Sequence, residues 1–303
     1  MQIRHNKMVM KNNLKEAAVL LHTECLLGEG MVWSQCDNSL YWVDILHKRI
    51  HSYQLESRKS AYWELPGYVS KIVPWPDGSG KFLVAMQQGL AIWTKETQDL
   101  TVVAELDARA GQIRTNDGGV DPEGNFWFGT MHMQALPDQG KLMHFYNGVL
   151  DTIIPAVTIP NGIVWPSDSP YFYFIDTYTR EVRRYARHNT GESVGADGQR
   201  YSTLVRVPHE LGMPDGMCLG PDGHLWVAHW GGFAVYKWHI ETGELLDKIR
   251  VNAPHVTSCC FGGATGNEIF ITTAREGLTM NELKKFPDSG KVFHFNTSQN
   301  IEC

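Results

Sequence analysis

Nothing in this chain is hydrophobic for long enough to cross a bilayer. The one early apolar stretch, Ala17 to Leu21, follows a basic N-terminus and is shorter than a membrane span or the core of a signal peptide. The expected setting is therefore cytoplasmic, with no membrane partner. Blocks of like charge are also missing. With 27 Lys and Arg against 33 Asp and Glu, the formal charge is -6, which argues against nucleic acid and against an electrostatic hold on anionic surfaces. Cysteine is sparse. The six residues form no CxxC pair, which speaks against a zinc knuckle, and the adjacent Cys259 and Cys260 read as buried reduced thiols in an apolar strand. No Gly-x-Ser-x-Gly elbow accompanies a candidate triad, so serine catalysis is not expected. No low-complexity linker divides the chain. One domain over 1–303 is expected, with 1–22 as a partly ordered N-terminal extension, acting as a monomer or weak dimer.

What the chain has in quantity is glycine, 29 residues, and tryptophan, 10 residues, a pairing that suits an all-β protein with many tight turns. Six aromatic or β-branched runs stand out: Leu40–Asp44, Phe82–Ala85, Phe126–Gly129, Tyr171–Ile175, Leu225–Ala228 and Glu268–Thr272. Their starts lie 42, 44, 45, 54 and 43 residues apart. Each follows a turn-rich segment such as Gly220-Pro-Asp-Gly-His224, where Pro presets φ, Asp can cap its own backbone and Gly accepts φ > 0. A short apolar strand precedes each turn. Alternating segments such as Arg49–Tyr53 and Ala234–Trp238 supply a third strand, and Leu246–Arg250 exemplifies a fourth. Four strands per ~45 residues is the size of a propeller blade. The expected fold is a six-bladed β-propeller with four-stranded blades and a central metal site. A polar insertion at 187–199 accounts for the longest gap. Gly-His and Trp-Asp pairs do not recur, which argues against a WD40 array. Helix is expected only at Asn12–Leu21 and Met280–Lys285.

In a propeller the residues that open the innermost strands gather at one mouth of the central channel. Here they are Glu29, Ser70-Lys71, Asn116-Asp117, Asn161, Asp215 and Thr257-Ser258, all polar although each opens an apolar strand. Glu29, Asn116, Asn161 and Asp215 are oxygen donors with ligand capacity. Such a set suits a hard divalent cation, Ca²⁺ or Mg²⁺, and discriminates poorly against Zn²⁺, Mn²⁺ or Fe²⁺. Arg114 stands two residues before Asn116, so a strand presents both on one side, and it would anchor a substrate oxygen. His132 and His229 follow second strands near the same mouth, as substrate contacts or as structural histidines. Asp44 and Asp176 end second strands at equivalent places and read as cross-blade hydrogen-bond acceptors.

These residues carry a resemblance. Gly28-Glu-Gly-Met-Val-Trp33, Arg114-Thr-Asn-Asp-Gly118, Phe128-Gly-Thr-Met131, Pro160-Asn-Gly162, Pro214-Asp-Gly-Met217 and Trp230-Gly-Gly232 resemble, in order, the motifs of the sugar-lactonase family of gluconolactonases, regucalcin and luciferin-regenerating enzyme. The resemblance spans roughly Cys25 to Phe295. It implies a six-bladed propeller with one axial divalent cation held by Glu29, Asn161 and Asp215. It also implies Asn116 at the substrate or at bound water, Arg114 at the substrate and Asp215 as general base. Three positions depart from the pattern: Met31 where proline is common, Gly119 where lysine is frequent, and His132-Met-Gln134 where some relatives carry acidic residues that bind sugar hydroxyls. His132 and Gln134 are thus the candidates for that substrate-binding role. The activity implied is metal-dependent hydrolysis of a sugar lactone. The alternatives are a divalent-cation-binding regulator without turnover and a hydrolase of a non-sugar lactone or ester.

Overall fold

A computed structural model describes residues 15–107, 111–187 and 200–300. Twenty-four strands make six antiparallel four-stranded sheets. The first strand, β1 (Ala18–Leu21), belongs to the last sheet. Blade 1 comprises β2 (Gly28–Ser34), β3 (Ser39–Asp44), β4 (Arg49–Gln54) and β5 (Lys59–Glu64). Blade 2 comprises β6 (Val69–Pro74), β7 (Lys81–Met86), β8 (Gly89–Thr94) and β9 (Leu100–Glu105). Blade 3 comprises β10 (Ile113–Val120), β11 (Phe126–His132), β12 (Gly140–Tyr146) and β13 (Val149–Val157). Blade 4 comprises β14 (Pro160–Val164), β15 (Tyr171–Asp176), β16 (Glu181–Ala186) and β17 (Tyr201–Arg206). Blade 5 comprises β18 (Met213–Leu219), β19 (Leu225–Trp230), β20 (Ala234–Trp238) and β21 (Leu245–Arg250). Blade 6 takes β22 (Val256–Gly262), β23 (Glu268–Thr273) and β24 (Val292–Asn296), with β1 as its outer strand. The inner strand of each blade contacts that of the next, round to β22 against β2, which closes the ring.

The second strands are apolar along their middles because both of their faces are covered there. Side chains alternate along a strand. In β3, Tyr41 and Val43 pack into the cluster shared with blade 2, whereas Leu40 and Trp42 pack into the cluster shared with blade 6. In β15, Phe172 and Phe174 face blade 3 while Tyr173 and Ile175 face blade 5. One apolar cluster fills each of the six joints between neighbouring blades. The ring is therefore only as stable as its joints. Phe128, fully buried between blades 2 and 3, tests this: Phe128→Ala should cost about 3–5 kcal/mol, read as a lowered urea midpoint with unchanged slope.

The helix expected over Asn12–Leu21 does not form. Residues 12–14 lie outside the described residues, Glu16 bridges Arg250, and Ala18–Leu21 is β1, paired antiparallel with β24. The physical reason is tertiary. A four-residue apolar stretch gains little as an isolated helix, whereas the open edge of β24 offers backbone partners. The second expected helix, α1 (Met280–Lys285), is present, with a capping box between Thr279 and Glu282. The polar insertion, apart from Arg187, also lies outside the described residues. Among the described residues no helix is long and apolar enough to cross a membrane.

Candidate active site

All six inner strands break register at their entry. The shifts fall at Glu29/Val32, Val69/Lys71, Thr115/Gly118, Pro160/Ile163, Pro214/Met217 and Val256/Ser258. Inside the breaks, or at their edge, stand Glu29, Ser70, Asn116, Asp117, Asn161, Asp215 and Thr257. A bulge takes its residue off the ladder and re-aims the side chain. Each blade thereby offers a polar group at the same end of the ring. The glycines of the motifs let the strands close up there. A Cβ on Gly162 would come within 2.4 Å of the Met217 Cβ, and one on Gly216 within 2.7 Å of the Thr257 carbonyl oxygen.

A chain of hydrogen bonds crosses three blades. Arg114 Nη1 donates to Asn116 Oδ1 at 2.6 Å, Asn116 Nδ2 donates to Asn161 Oδ1 at 3.0 Å, and Asn161 Nδ2 donates to Thr177 Oγ1 at 2.7 Å. Thr177 Oγ1 in turn donates to the carbonyl of Pro214, at 2.7 Å, next to Asp215. Between blades 2 and 3, Ser70 donates to Thr115 at 2.7 Å and Lys71 Nζ to Asp117 Oδ1 at 2.8 Å. Glu29, Arg114, Asn116, Asp117, Asn161 and Asp215 are all buried.

The carboxylates are not comfortable. Burial, and then the charge of Asp117, push Glu29 up to about 8. Burial also holds Asp215 well above the usual range, with Glu29 and Asp117 adding to it. Glu29 Oε2 accepts only the amide of Gly30, at 3.2 Å, and Asp215 Oδ1 is buried without a hydrogen-bond partner among the described residues. Burial likewise lowers the pKa of Arg114, opposed by Glu276, Glu29, Tyr68 and Asp215. Carboxyl groups buried together like this either keep their protons or gain a cation beyond Lys71 and Arg114. The donor set fits a hard divalent cation: two carboxylates and the Asn161 amide oxygen, which keeps a lone pair after accepting from Asn116.

The outer candidates lie apart from this network. His132 is half-buried, and its Nδ1 accepts the amide of Gln134 at 3.1 Å, closing the turn after β11. The Gln134 side chain is exposed. His229 is fully buried, its Nδ1 lies 2.8 Å from the Leu211 carbonyl oxygen, and burial pushes it down to about 4. Asp44 and Asp176 accept hydrogen bonds, but not across to a neighbouring blade. Asp44 takes the amides of Leu26 and Leu27, and Asp176 those of Thr158 and Ile159, pinning the segment that leads into its own blade. Two groups near the site had weak sequence signals or none. Asp117 is visible only as the neighbour of Asn116, and Glu276 comes from the long connection between β23 and β24. A surface hollow of about 530 Å³, lined in part by Lys48, Gln87 and Glu105, contains none of these residues.

Comparison with known proteins agrees with this architecture. Bovine (Bos taurus) regucalcin is 31% identical over 280 residues, covering 90% of this chain and 92% of that protein. A Bacillus subtilis protein, provisionally named the sugar lactone lactonase YvrE, is 29% identical and covers 92% of this chain and 94% of its own length. The crystal structure of a regucalcin from Agrobacterium tumefaciens, titled a calcium-binding protein, superposes with a TM-score of 0.85 at 28% identity, covering 93% of each chain. The family model described as the SMP-30/Gluconolactonase/LRE-like region matches residues 27–275, from the linker into β2 to just beyond β23. That span contains Glu29, Arg114, Asn116, Asp117, Asn161 and Asp215, and the chain belongs to the SMP-30/gluconolactonase/LRE-like family.

Proposed function

We propose that this protein opens a sugar (aldono-)lactone to the aldonic acid, with one divalent cation held by Glu29, Asn161 and Asp215. The observation that carries the proposal is Asp215, a buried carboxylate with an unpartnered Oδ1 beside Glu29 and Asp117. A cation in that position supplies Lewis-acid polarisation of the lactone carbonyl. Arg114 holds a substrate oxygen with the guanidinium hydrogens that Asn116 and Thr115 do not use. Asn116, fixed by Pro160 and Asn161, keeps Arg114 oriented. Asp215 Oδ1 takes the proton of the attacking water as its oxygen bonds to the carbonyl carbon. The same proton then passes to the ring oxygen as the ring C–O bond breaks. His132 and Gln134 stand at the turn after β11 as contacts for sugar hydroxyls. The protein acts on small molecules as a monomer or weak dimer.

The second reading is a cation-binding protein without turnover. It is favoured by Gln134, exposed and uncharged, at a turn where a sugar-binding carboxylate would be expected. One experiment separates the two. The purified protein is incubated with γ- and δ-lactones of gluconate, xylonate, arabinonate and galactonate, with and without chelator. Ca²⁺, Zn²⁺, Mg²⁺, Mn²⁺ and Fe²⁺ are each added back. Acid release that disappears with chelator and returns with one of the cations is expected. Inertness across the panel would overturn the enzyme reading. Activity confined to apolar lactones would move the substrate outside the sugars.

A further inference from the structure

Blade 1 carries a second cluster, one and two strands out from the axial residues. Cys25 lies in the linker before β2, Asp44 ends β3 and His51 lies in β4. One ligand atom from each stands within 4.8 Å of the other two, and among the described residues no other such His/Cys/Asp/Glu trio occurs. Cys25 and Asp44 are buried and His51 is half-buried. A hollow of about 390 Å³, lined by these three with His47, Arg49 and Tyr62 among others, connects them to solvent.

From this geometry we infer that Cys25, Asp44 and His51 form a binding site for a borderline-soft divalent metal ion of the Zn²⁺ type, separate from the axial cation. Ligands ~2.0–2.3 Å from a tetrahedral ion lie roughly 3.3–3.8 Å apart, so the cluster needs only a small contraction. The side chains are already oriented. Asp44 Oδ1 accepts the amides of Leu27 and His47, and Oδ2 accepts the amide of Leu26 and pairs with His47 Nδ1 at 2.7 Å, so an entering metal ion takes the place of the His47 ring. The His51 ring is held between Trp42, at 5.1 Å and 12° from parallel, and Tyr62, at 5.8 Å. Its Nε2 is buried with no hydrogen-bond partner. Such support from outside the ligand set is what a metal site requires.

The charges also balance. A thiolate, a carboxylate and a neutral imidazole neutralise a dication, so the loaded site adds no net charge to a buried region. Burial pushes His51 down to about 4, leaving its lone pair free at neutral pH. Burial, and then the charge of Asp44, push the Cys25 thiol up to about 12. That disfavours the rival reading, a nucleophilic Cys–His–Asp triad, which needs an easily formed thiolate. A metal ion instead takes the place of the thiol proton, which leaves to solvent as the metal–sulfur bond forms. Sulfur and imidazole select against Ca²⁺ and Mg²⁺, so the two sites differ in chemistry. Two adverse charges stand nearby: Arg49, which is engaged by Glu64, and His47 in its charged form, which is paired with Asp44.

Co²⁺ titration of the full chain tests the site. With the axial site filled by Ca²⁺, the expected result is a near-ultraviolet thiolate-to-cobalt band that saturates at one equivalent and is displaced by Zn²⁺. Cys25→Ser should abolish the band. Cys36→Ser, at an exposed thiol, and Asp215→Asn should leave it intact. His51→Gln should weaken binding at least about tenfold. No band in the unaltered protein, or a band that survives Cys25→Ser, overturns the site. Should Cys25→Ser not fold, an unchanged cobalt midpoint in His51→Gln overturns it equally. Because Asp215→Asn is a separate arm, failure here and failure of the lactonase reading give different patterns.

Discussion

Asp215→Asn should lower the rate of lactone opening by about 10²–10⁴-fold in cation-replete buffer, while making the cation-free protein more stable above neutral pH. Both effects have one cause. The carboxylate is buried and pushed up by Glu29 and Asp117, so its ionised form costs folding energy and serves only the chemistry. Asparagine keeps the shape and removes the charge, a trade of activity against stability. Glu29→Gln separates the roles of the two acids. As a ligand without a proton-transfer task, Glu29 should give a variant with weakened cation affinity whose turnover recovers at higher cation concentration. Asp215→Asn should not recover. The checks are initial rates of acid release across a cation titration, and urea midpoints in chelator. Full turnover by Asp215→Asn with cation present removes the proposed base.

The blades were legible because burial on both faces writes a continuous aromatic run, and the spacing of those runs sets the repeat. The entry residues were legible for a different reason. Polar triplets such as Pro160-Asn-Gly162 and Pro214-Asp-Gly216 interrupt otherwise apolar strands, and the register breaks now explain the interruption. β1 was not legible. Its pairing is with β24, at the other end of the chain, and local composition says nothing about a distant open edge. Gly119, a departure from the family pattern, has a local explanation: any Cβ there would lie 3.0 Å from the Trp165 ring. Met31, the other departure at an inner strand, fills the joint between blades 6 and 1. Glu276 lay beyond reach because the connection that carries it has no repeat to compare it with.

Stability of the chelated protein should fall as pH rises from 6.5 to 8, and saturating cation should flatten the slope. Glu29 has its folded pKa raised from 4.5 to about 8. Between those values the native state holds more protons than the unfolded chain, so raising the pH destabilises it. Asp215 and Glu276 are shifted in the same direction. Histidines work the other way at lower pH. His229 and His51, each pushed from 6.5 down to about 4, make the unfolded state the better proton binder between 4 and 6.5, so stability there is lost on acidification. The two trends oppose each other up to pH 6.5, and above it the carboxylates act alone. Glu29 then loses stability up to pH 8, at no more than about 1.4 kcal/mol per pH unit, and Asp215 adds to it. A cation competes with those protons, so its affinity should climb over the same interval and its stabilisation with it. Urea midpoints at pH 6.5, 7.2 and 8, in chelator and in Ca²⁺, measure both slopes. Glu29→Gln should flatten the chelated profile. A Glu29→Gln slope equal to that of the unaltered protein would mean that Glu29 is already ionised in the cation-free native state, and its part in the case for an axial cation would fail with it.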